Sequence, residues 1–165
     1  MKEVIYVHTG EVKSGDAGIL LNSGAIGSCV VITAYDSENR IGAMAHVMLP
    51  GSTPEGKNLK NTKYAVSAIN ELLTLMKKDD GKVCHLETCI IGGANVLKRP
   101  NDTIAKSNID SVEKWLDAKS INVCAKAIGG FERRTVLFDI EKGSIFFTVG
   151  DSKPKPLWQT TSKSK

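Results

Sequence analysis

Short runs of β-branched and aliphatic residues, separated by turn-forming residues, recur along this chain, and only two stretches carry a helical pattern. The runs that predict strands are residues 4–7, 19–21, 30–35, 41–48, 83–91, 121–128, 135–140 and 145–149. The helical stretches are residues 62–78 and 101–118. This order is not the regular alternation of strand and helix that builds a parallel sheet. It predicts an α+β fold, arranged as an α/β layered sandwich of mainly antiparallel β-sheets with two to three helices packed on one side.

The composition is that of one globular domain of ordinary size. The chain has 165 residues, of which 41% are hydrophobic and only 5% aromatic, so its core is expected to be aliphatic. We expect a single domain over residues 1–150 and a basic, flexible C-terminal tail over residues 151–165. The tail holds four lysines, and Trp158 is expected to dock it on the domain. Because no basic patch is interleaved with aromatic residues, nucleic acid is not an expected partner.

The start of the chain, MKEVIYVH, is too short and too charged for a signal peptide, and no apolar run is long enough to span a membrane. We therefore expect a cytoplasmic protein without membrane insertion. In such a reducing compartment, the four cysteines are expected to be thiols rather than disulfides.

One cysteine and one histidine stand in unusual local sequences. Cys29 follows Gly27-Ser28 and opens an apolar run, while His46 lies in the small-residue segment GAMAHVMLP of residues 42–50. Gly42 in that segment predicts close packing. If the strands that follow Cys29 and contain His46 pair as a hairpin, the two side chains approach each other. A histidine beside a cysteine takes the thiol proton, and the resulting thiolate is the competent nucleophile.

The local sequences alone leave simpler roles open for these residues. Cys29 also fits a small buried core residue, since cysteine is among the most buried residue types. His46 also fits a hydrogen-bonded structural histidine. Ser23 is expected on the loop before Cys29, where its hydroxyl would orient the histidine ring or a substrate. Backbone N–H groups of residues 24–29 would stabilise an oxyanion if the cysteine acts as a nucleophile.

The remaining cysteines predict no metal site. Cys84 and Cys89 are not spaced like a zinc-binding pair, residues five apart on a strand point to opposite faces, and Cys124 completes no second pair. Gly92-Gly93 follows a predicted strand but lacks the lysine and hydroxyl residue of a phosphate-binding loop. We therefore expect no metal, no nucleotide and no other cofactor.

Taken together, these segments resemble the bacterial chemoreceptor glutamine deamidase family, CheD. The resemblance covers residues 2–150, and its most specific parts are the segments around Cys29 and His46. Further matching segments are Lys63-Tyr64-Ala65, Ile91-Gly92-Gly93-Ala94, Gly129-Gly130, Arg134 and the terminal hairpin through Gly143. The glycine pairs carry little weight by themselves.

The resemblance implies a hydrolase of bacterial chemotaxis adaptation. CheD proteins hydrolyse the side-chain amides of particular glutamines on methyl-accepting chemotaxis receptors to glutamate and ammonia, and some also hydrolyse glutamyl methyl esters. Matched to the family motif, the catalytic cysteine falls on Cys29, the histidine on His46 and the threonine on Ser23. The resemblance also implies a CheC-type phosphatase as a partner that competes with the receptor for one face, and a layered α/β sandwich as the fold.

Some positions depart from the family pattern. They are Ser23 for threonine, Val66 for aspartate, Ala105 and Ser107 for glycine and arginine, and Ala127 for an acidic residue. Because the cysteine and histidine are retained, these changes bear on recognition of the receptor or partner. The alternative function is a non-catalytic or dual-role binding module that engages CheC and receptor helices. A papain-like peptidase is disfavoured because the histidine follows the cysteine too closely.

Overall fold

The computed structural model describes residues 1–58, 60–77, 81 and 85–162, and within them the chain forms ten strands and two helices. The strands are β1 (Glu3–Tyr6), β2 (Val12–Gly15), β3 (Ile19–Ile26), β4 (Val30–Asp36), β5 (Ile41–Val47), β6 (Glu87–Gly92), β7 (Val123–Ile128), β8 (Arg134–Asp139), β9 (Ser144–Phe147) and β10 (Lys155–Gln159). The helices are α1 (Ala65–Leu75) and α2 (Ile104–Ala118). Neither helix in this part of the chain has the length and apolar character needed to cross a membrane.

The strands form two five-stranded sheets. Sheet I has the order β1-β3-β8-β9-β10, and sheet II has the order β2-β5-β4-β6-β7. β1 and β3 are parallel, as are β6 and β7, and the other six of the eight pairings between described strands are antiparallel. The predicted α+β class is therefore confirmed, and both sheets are mixed.

Two apolar clusters hold these elements together, and β4 contributes to both because its side chains alternate. Val30, Ile32 and Ala34 belong to the cluster that joins sheet II to both helices. Val31 and Tyr35 belong to a second cluster, the inter-sheet cluster, whose other members come from both sheets. Both clusters are mostly aliphatic, as the low aromatic content predicts.

Gly42 on β5 marks a place where the two sheets approach closely. A Cβ atom at this position would lie 2.5 Å from Cε1 of Phe138 on β8, so no side chain fits. The prediction that Gly42 permits close packing is confirmed.

Both helices begin three residues later than the sequence pattern predicts. Before α1, Oδ1 of Asn61 accepts a hydrogen bond from the N–H of Lys63 at 3.1 Å. Before α2, Oδ1 of Asp102 accepts one from the N–H of Ile104 at 3.0 Å. Such side-chain turns compete with helical hydrogen bonding and delay the helix. The predicted end of the first helix, residue 78, lies outside the described residues.

Two strands lie where the sequence predicts none. β2 occupies a segment with the turn-rich composition of residues 10–18 and pairs antiparallel with β5. β10 occupies part of the segment expected to be a flexible tail; it pairs antiparallel with β9, and Leu157 and Trp158 pack against the inter-sheet cluster. The expected docking of Trp158 is therefore seen. Both are edge strands, which tolerate the glycine of β2 and the proline of β10.

Candidate functional site

The hairpin of β4 and β5 brings Cys29 and His46 to one face of sheet II. The antiparallel register pairs Val31 with His46 and Val30 with Val47. Cys29 is two residues before Val31, so it shares the face of Val31 and His46, which is the face covered by sheet I. Diagonal neighbours of this kind have Cβ atoms about 7–8 Å apart or somewhat closer. The predicted hairpin is confirmed, and its register places the two residues on the same face of sheet II.

The segment that carries the thiol is held through its carbonyl groups. Residues 27–29 precede β4, and each of the three carbonyl oxygens accepts a hydrogen bond from a group outside the segment. The donors are Ala94 N to Gly27 O, Asn108 Nδ2 to Ser28 O and Gly93 N to Cys29 O, each at 2.9 Å. The N–H groups of these three residues donate no hydrogen bond to any other described residue. They are the free donors beside the thiol.

Gly92 at the end of β6 allows this arrangement. Its φ is +116°, in the region that favours glycine, and a Cβ there would lie 2.3 Å from the carbonyl oxygen of Cys29. The sequence identified the glycine pair 92–93 as a strand end without a phosphate-binding signature. The structure shows that its backbone is packed directly against the segment of the thiol.

Asn108 on α2 is a site residue that the sequence patterns did not single out. It is fully buried, and its Nδ2 donates to the carbonyls of Ser28 at 2.9 Å and Met48 at 3.1 Å. One amide thereby ties the start of β4 to the end of β5. The available signal was an asparagine on the apolar face of a helix, since Asn108 shares that face with Ala105 and Val112.

His46 is buried and is held by a backbone carbonyl. It is 2% exposed, and its Nδ1 lies 2.9 Å from the carbonyl oxygen of Val7. Because a carbonyl oxygen only accepts, Nδ1 carries the proton and Nε2 has a free lone pair. Nε2 is buried and has no hydrogen-bond partner among the described residues, Cys29 included. Nε2 therefore has a lone pair that is available to accept a proton.

Burial keeps both candidate groups neutral. It lowers the pKa of His46 from 6.5, helped by nearby His8 and opposed by the hydrogen bond to Val7 and by Glu11. It also raises the pKa of the half-buried Cys29 thiol from 9.0, opposed by a hydrogen bond from the Thr9 side chain. At neutral pH the pair is therefore a thiol and a neutral imidazole rather than a preformed ion pair.

Ser23 lies in β3, not on the loop that the sequence predicts. It is buried in an irregular stretch where the register between β3 and β8 shifts between Asn22 and Ala25. Its hydroxyl donates to the carbonyl of Gly24 at 2.7 Å and accepts from the N–H of Val136 at 2.9 Å. The prediction of a loop is wrong because of this bulge: the Ser23 hydroxyl takes the place of a strand partner, and the strand continues to Ile26. Its only donor is thus committed to the backbone.

The other described cysteines differ from Cys29. Cys89 is buried in the inter-sheet cluster, and burial raises its pKa to about 12, so it supplies almost no thiolate at neutral pH. Cys124 is half-buried on β7. Among the described residues, no three metal-ligating side chains come together; Cys84 lies outside them.

The CheD family model, described as CheD chemotactic sensory transduction, matches residues 48–148. A protein of Chlorobium luteolum named probable chemoreceptor glutamine deamidase CheD is 36% identical over 154 residues, which is 93% of this chain and 77% of that protein. The chemoreceptor glutamine deamidase CheD of Thermotoga maritima is 37% identical over 150 residues, 88% of this chain and 90% of that protein. A probable CheD of Methanococcus maripaludis is 35% identical over 147 residues, 85% of this chain and 94% of that protein.

The family model therefore matches more than half of the chain, and relatives above 30% identity are matched over most of their own length. The resemblance seen in the sequence is confirmed. The chain belongs to the CheD family.

Proposed function

We propose that this protein is a glutamine deamidase that hydrolyses side-chain amides of specific glutamines on methyl-accepting chemotaxis receptors to glutamate and ammonia. Its relatives in Chlorobium luteolum and Thermotoga maritima are named for this activity. The observation that carries the proposal is the buried His46, whose free Nε2 lies on the same sheet face as the Cys29 thiol. A hydrolase acting on linear amides needs such a base beside its nucleophile.

The chemistry proceeds in two halves. In the first, Nε2 of His46 takes the proton from Sγ of Cys29, and the thiolate attacks the side-chain carbonyl carbon of the glutamine. The free N–H groups of residues 27–29 stabilise the oxyanion. The imidazolium returns the proton to the departing nitrogen, which leaves as ammonia, and a thioester remains.

In the second half, Nε2 of His46 takes a proton from a water molecule, and the hydroxide attacks the thioester carbonyl. The thiolate of Cys29 leaves and regains the proton from the imidazolium, and glutamate is released. Each half uses the same nitrogen first as a base and then as an acid. General acid–base catalysis of this kind typically contributes about 10²–10⁴-fold to the rate. Sγ and Nε2 make no hydrogen bond in the free protein, and catalytic contacts often tighten only when substrate binds.

Ser23 completes the proposed set of catalytic residues. Its single O–H donor is used on Gly24, but one lone pair remains to accept a hydrogen bond from the substrate amide. It also lies next to Asn22, whose carbonyl accepts the N–H of Val7, and Val7 in turn orients His46. The serine thus belongs to the chain of contacts behind the base.

We further propose the layered α/β sandwich as the architecture, with one deamidase domain over residues 1–150 in a cytoplasmic protein. Two apolar clusters support three layers, since one cluster joins the sheets and the other joins sheet II to the helices. β10 adds to this domain at the edge of sheet I.

The proposal is tested by measuring ammonia release from a glutamine-containing receptor fragment. The wild-type protein is expected to release ammonia, and the Cys29→Ala variant to release none. Cys124→Ala is the matched control, because it removes a half-buried thiol on β7 that makes no contact in the proposed mechanism. Equal release by wild type and Cys29→Ala would exclude the thiol mechanism.

A second candidate function is a binding module for a CheC-type phosphatase and receptor helices. It is favoured by an apolar patch of three exposed side chains, Val96, Leu97 and Phe131, next to the thiol segment. Val96 packs at Gly27, where a Cβ would lie 3.2 Å from it, and the N–H of Asn95 donates to the carbonyl of Gly130. Binding and catalysis are compatible, because the patch borders the site without occupying it.

The two functions separate in one pair of variants. Leu97→Asp is expected to weaken binding of the receptor fragment and of CheC while leaving alkylation of Cys29 unchanged. Cys29→Ala is expected to retain binding of both while losing ammonia release. A Cys29→Ala strain with full chemotactic adaptation would favour the binding module over the deamidase.

A further inference from the structure

The loop between β1 and β2 contacts both the backbone and the ring of His46. The N–H of Gly10 donates to the carbonyl of His46 at 2.9 Å, and the N–H of His46 donates to the carbonyl of Glu11 at 3.0 Å. The carbonyl of Val7 accepts the ring Nδ1–H at 2.9 Å. The backbone position and the ring orientation of His46 therefore both depend on residues 7–11.

This loop contains a four-residue turn, residues 8–11. The N–H of Glu11 donates to the carbonyl of His8 at 2.9 Å and closes the turn. Gly10 is the third residue of the turn, and its φ of +82° lies in the left-handed region that one common turn type requires at that place. The turn leads directly into β2, which pairs with the strand that carries His46.

The Glu11 side chain holds the turn to the strands on either side of it. Its Oε2 accepts a hydrogen bond from the N–H of His8 at 2.8 Å and lies 3.1 Å from Nζ of Lys13 on β2. Nζ of Lys13 also donates to the carbonyl of Tyr6, the last residue of β1, at 2.9 Å. The hydrogen bond from His8 is the main cause that lowers the pKa of Glu11 from 4.5, so the group is a carboxylate at neutral pH.

We propose that Glu11 is a positioning residue for His46: its carboxylate holds the turn of residues 8–11 and so keeps the ring Nδ1–H on the Val7 carbonyl and Nε2 free. This inference rests on the proposed role of His46 as the base. The Glu11 side chain is 41% exposed, and exposed ion pairs contribute little to stability. Its removal is therefore expected to alter the orientation of the base more than the folding of the chain.

Thr62, just before α1, holds the same loop from another side. Its hydroxyl donates to the carbonyl of Gly10. Gly10 is also the residue whose N–H donates to the carbonyl of His46. Removing the Thr62 hydroxyl is therefore a second way to loosen the loop that leaves the Glu11 carboxylate in place.

The direct test is the tautomer of His46 in the full chain, measured by long-range proton–nitrogen NMR above pH 6.5, where burial keeps the ring neutral. The wild-type protein is expected to show the Nδ1–H form. Glu11→Ala removes the acceptor of the His8 N–H and is expected to give a mixture with the Nε2–H form. Glu11→Gln keeps an oxygen that accepts this N–H and is expected to restore the wild-type tautomer. Equal mixtures in Glu11→Gln and Glu11→Ala would contradict a role through this hydrogen bond.

Asp110→Ala is the matched control. Asp110 is an exposed carboxylate on α2 that lies 2.7 Å from Nζ of Lys106, so this variant also loses one surface ion pair. It is expected to keep the wild-type tautomer. A wild-type tautomer in Glu11→Ala would overturn the inference. If Glu11→Ala fails to fold, Thr62→Val decides in the same way, because it removes the hydroxyl that donates to Gly10.

A second readout separates positioning from general structural damage. With receptor fragment as substrate, Glu11→Ala is expected to lower kcat roughly ten-fold, less than the about 10²-fold that a misplacement of about 1 Å can cause. KM is expected to stay unchanged, and Glu11→Gln should recover most of the loss in kcat. A rise in KM with kcat unchanged would contradict the role. The tautomer needs no substrate, so a Cys29→Ala protein that still releases ammonia refutes the proposed function alone.

Discussion

At the scale of single residues, burial decides the protonation state of the candidate pair. His46 is neutral and Cys29 is protonated at rest because each charged form loses hydration in the inter-sheet region. The pair therefore carries no charge at rest, and in the proposed mechanism the thiolate forms when the imidazole takes its proton. This arrangement depends on one carbonyl, that of Val7, which fixes the ring with Nε2 free.

The pH dependence of the reaction follows from these shifts. In the proposed mechanism neutral His46 is the active form. Since burial lowers its pKa, the acid limb of kcat/KM is expected to have its midpoint below pH 6.5. Burial raises the pKa of Cys29 from 9.0. The thiol proton that is passed on to the leaving ammonia is therefore lost only above pH 9.0, and the alkaline limb is expected to have its midpoint there. Ammonia release measured from acid to alkaline pH checks both limbs. An acid midpoint above 6.5 would contradict the role given to burial.

Gly92 is expected to be intolerant of any side chain. A Cβ at Gly92 would lie 2.3 Å from the Cys29 carbonyl at a φ of +116°, so Gly92→Ala should displace the thiol segment and abolish most ammonia release. Its strain is expected to lower the free energy of unfolding by about 1–3 kcal/mol. Gly51→Ala is the control, since Gly51 has a φ of +71° but open space around its Cβ position. Loss of activity in both variants would show that backbone strain alone, not contact with Cys29, matters.

At the scale of elements, the site is built from the β4–β5 hairpin and from helix α2, which is bound to both ends of the hairpin. β4 and β5 place the two side chains, and α2 locks the hairpin ends through Asn108. Through this amide the helix joins the thiol segment to the residue that follows β5. Its function at this site is structural support of the other two elements.

Asn108→Ala is expected to loosen this connection. It removes two hydrogen bonds, to the carbonyls of Ser28 and Met48, in a partly buried place, and their loss is expected to lower the free energy of unfolding by about 1–3 kcal/mol in total. Ammonia release should fall together with stability. The exposed Asn70→Ala on α1 is the control and should change stability by no more than about 0.5 kcal/mol. Chemical denaturation of both variants makes the comparison, and equal small changes would refute the tether.

What the sequence predicts at this scale depends on whether the signal is local. The hairpin and the approach at Gly42 are predictable because they follow from period-two alternation and from a missing side chain. The position of Ser23 is not, because a bulge is set by the partner strand β8. Asn108 acts through contacts with residues distant in the chain, so its place on the apolar face of α2 marks it as unusual but does not identify its partners.

At the scale of the whole molecule, the site lies where sheet I, sheet II and the helices meet. Sheet II carries Cys29 and His46, sheet I reaches them through Asn22 and Val7, and the helical side reaches them through Asn108. The far edge of sheet I, β10, lies three strands away from β3, because β8, β9 and β10 follow β3 in the order of the sheet. Changes at this edge should therefore alter the stability of the protein without altering the geometry of the site.

Truncation after residue 150 tests that separation. It removes β10, including Leu157 and Trp158, which are partly buried against the inter-sheet cluster, so the loss for each is expected to be below the about 1.5–3 kcal/mol of a fully buried side chain. The melting temperature is expected to fall. Below the new melting temperature, the pH midpoint of Cys29 alkylation by iodoacetamide should match that of the full chain. A shifted midpoint would mean that β10 supports the site as well as the sheet.

The neutral resting state of Cys29 has a consequence for survival of the protein in an oxidising cell. Peroxide and similar oxidants attack thiolates far faster than thiols, and the first product is a sulfenic acid. Burial keeps the Cys29 thiol protonated at rest. In the proposed mechanism, the oxidant-sensitive thiolate therefore exists only during the brief time in which His46 holds its proton. The same burial that makes the cysteine a reluctant nucleophile also keeps it chemically intact.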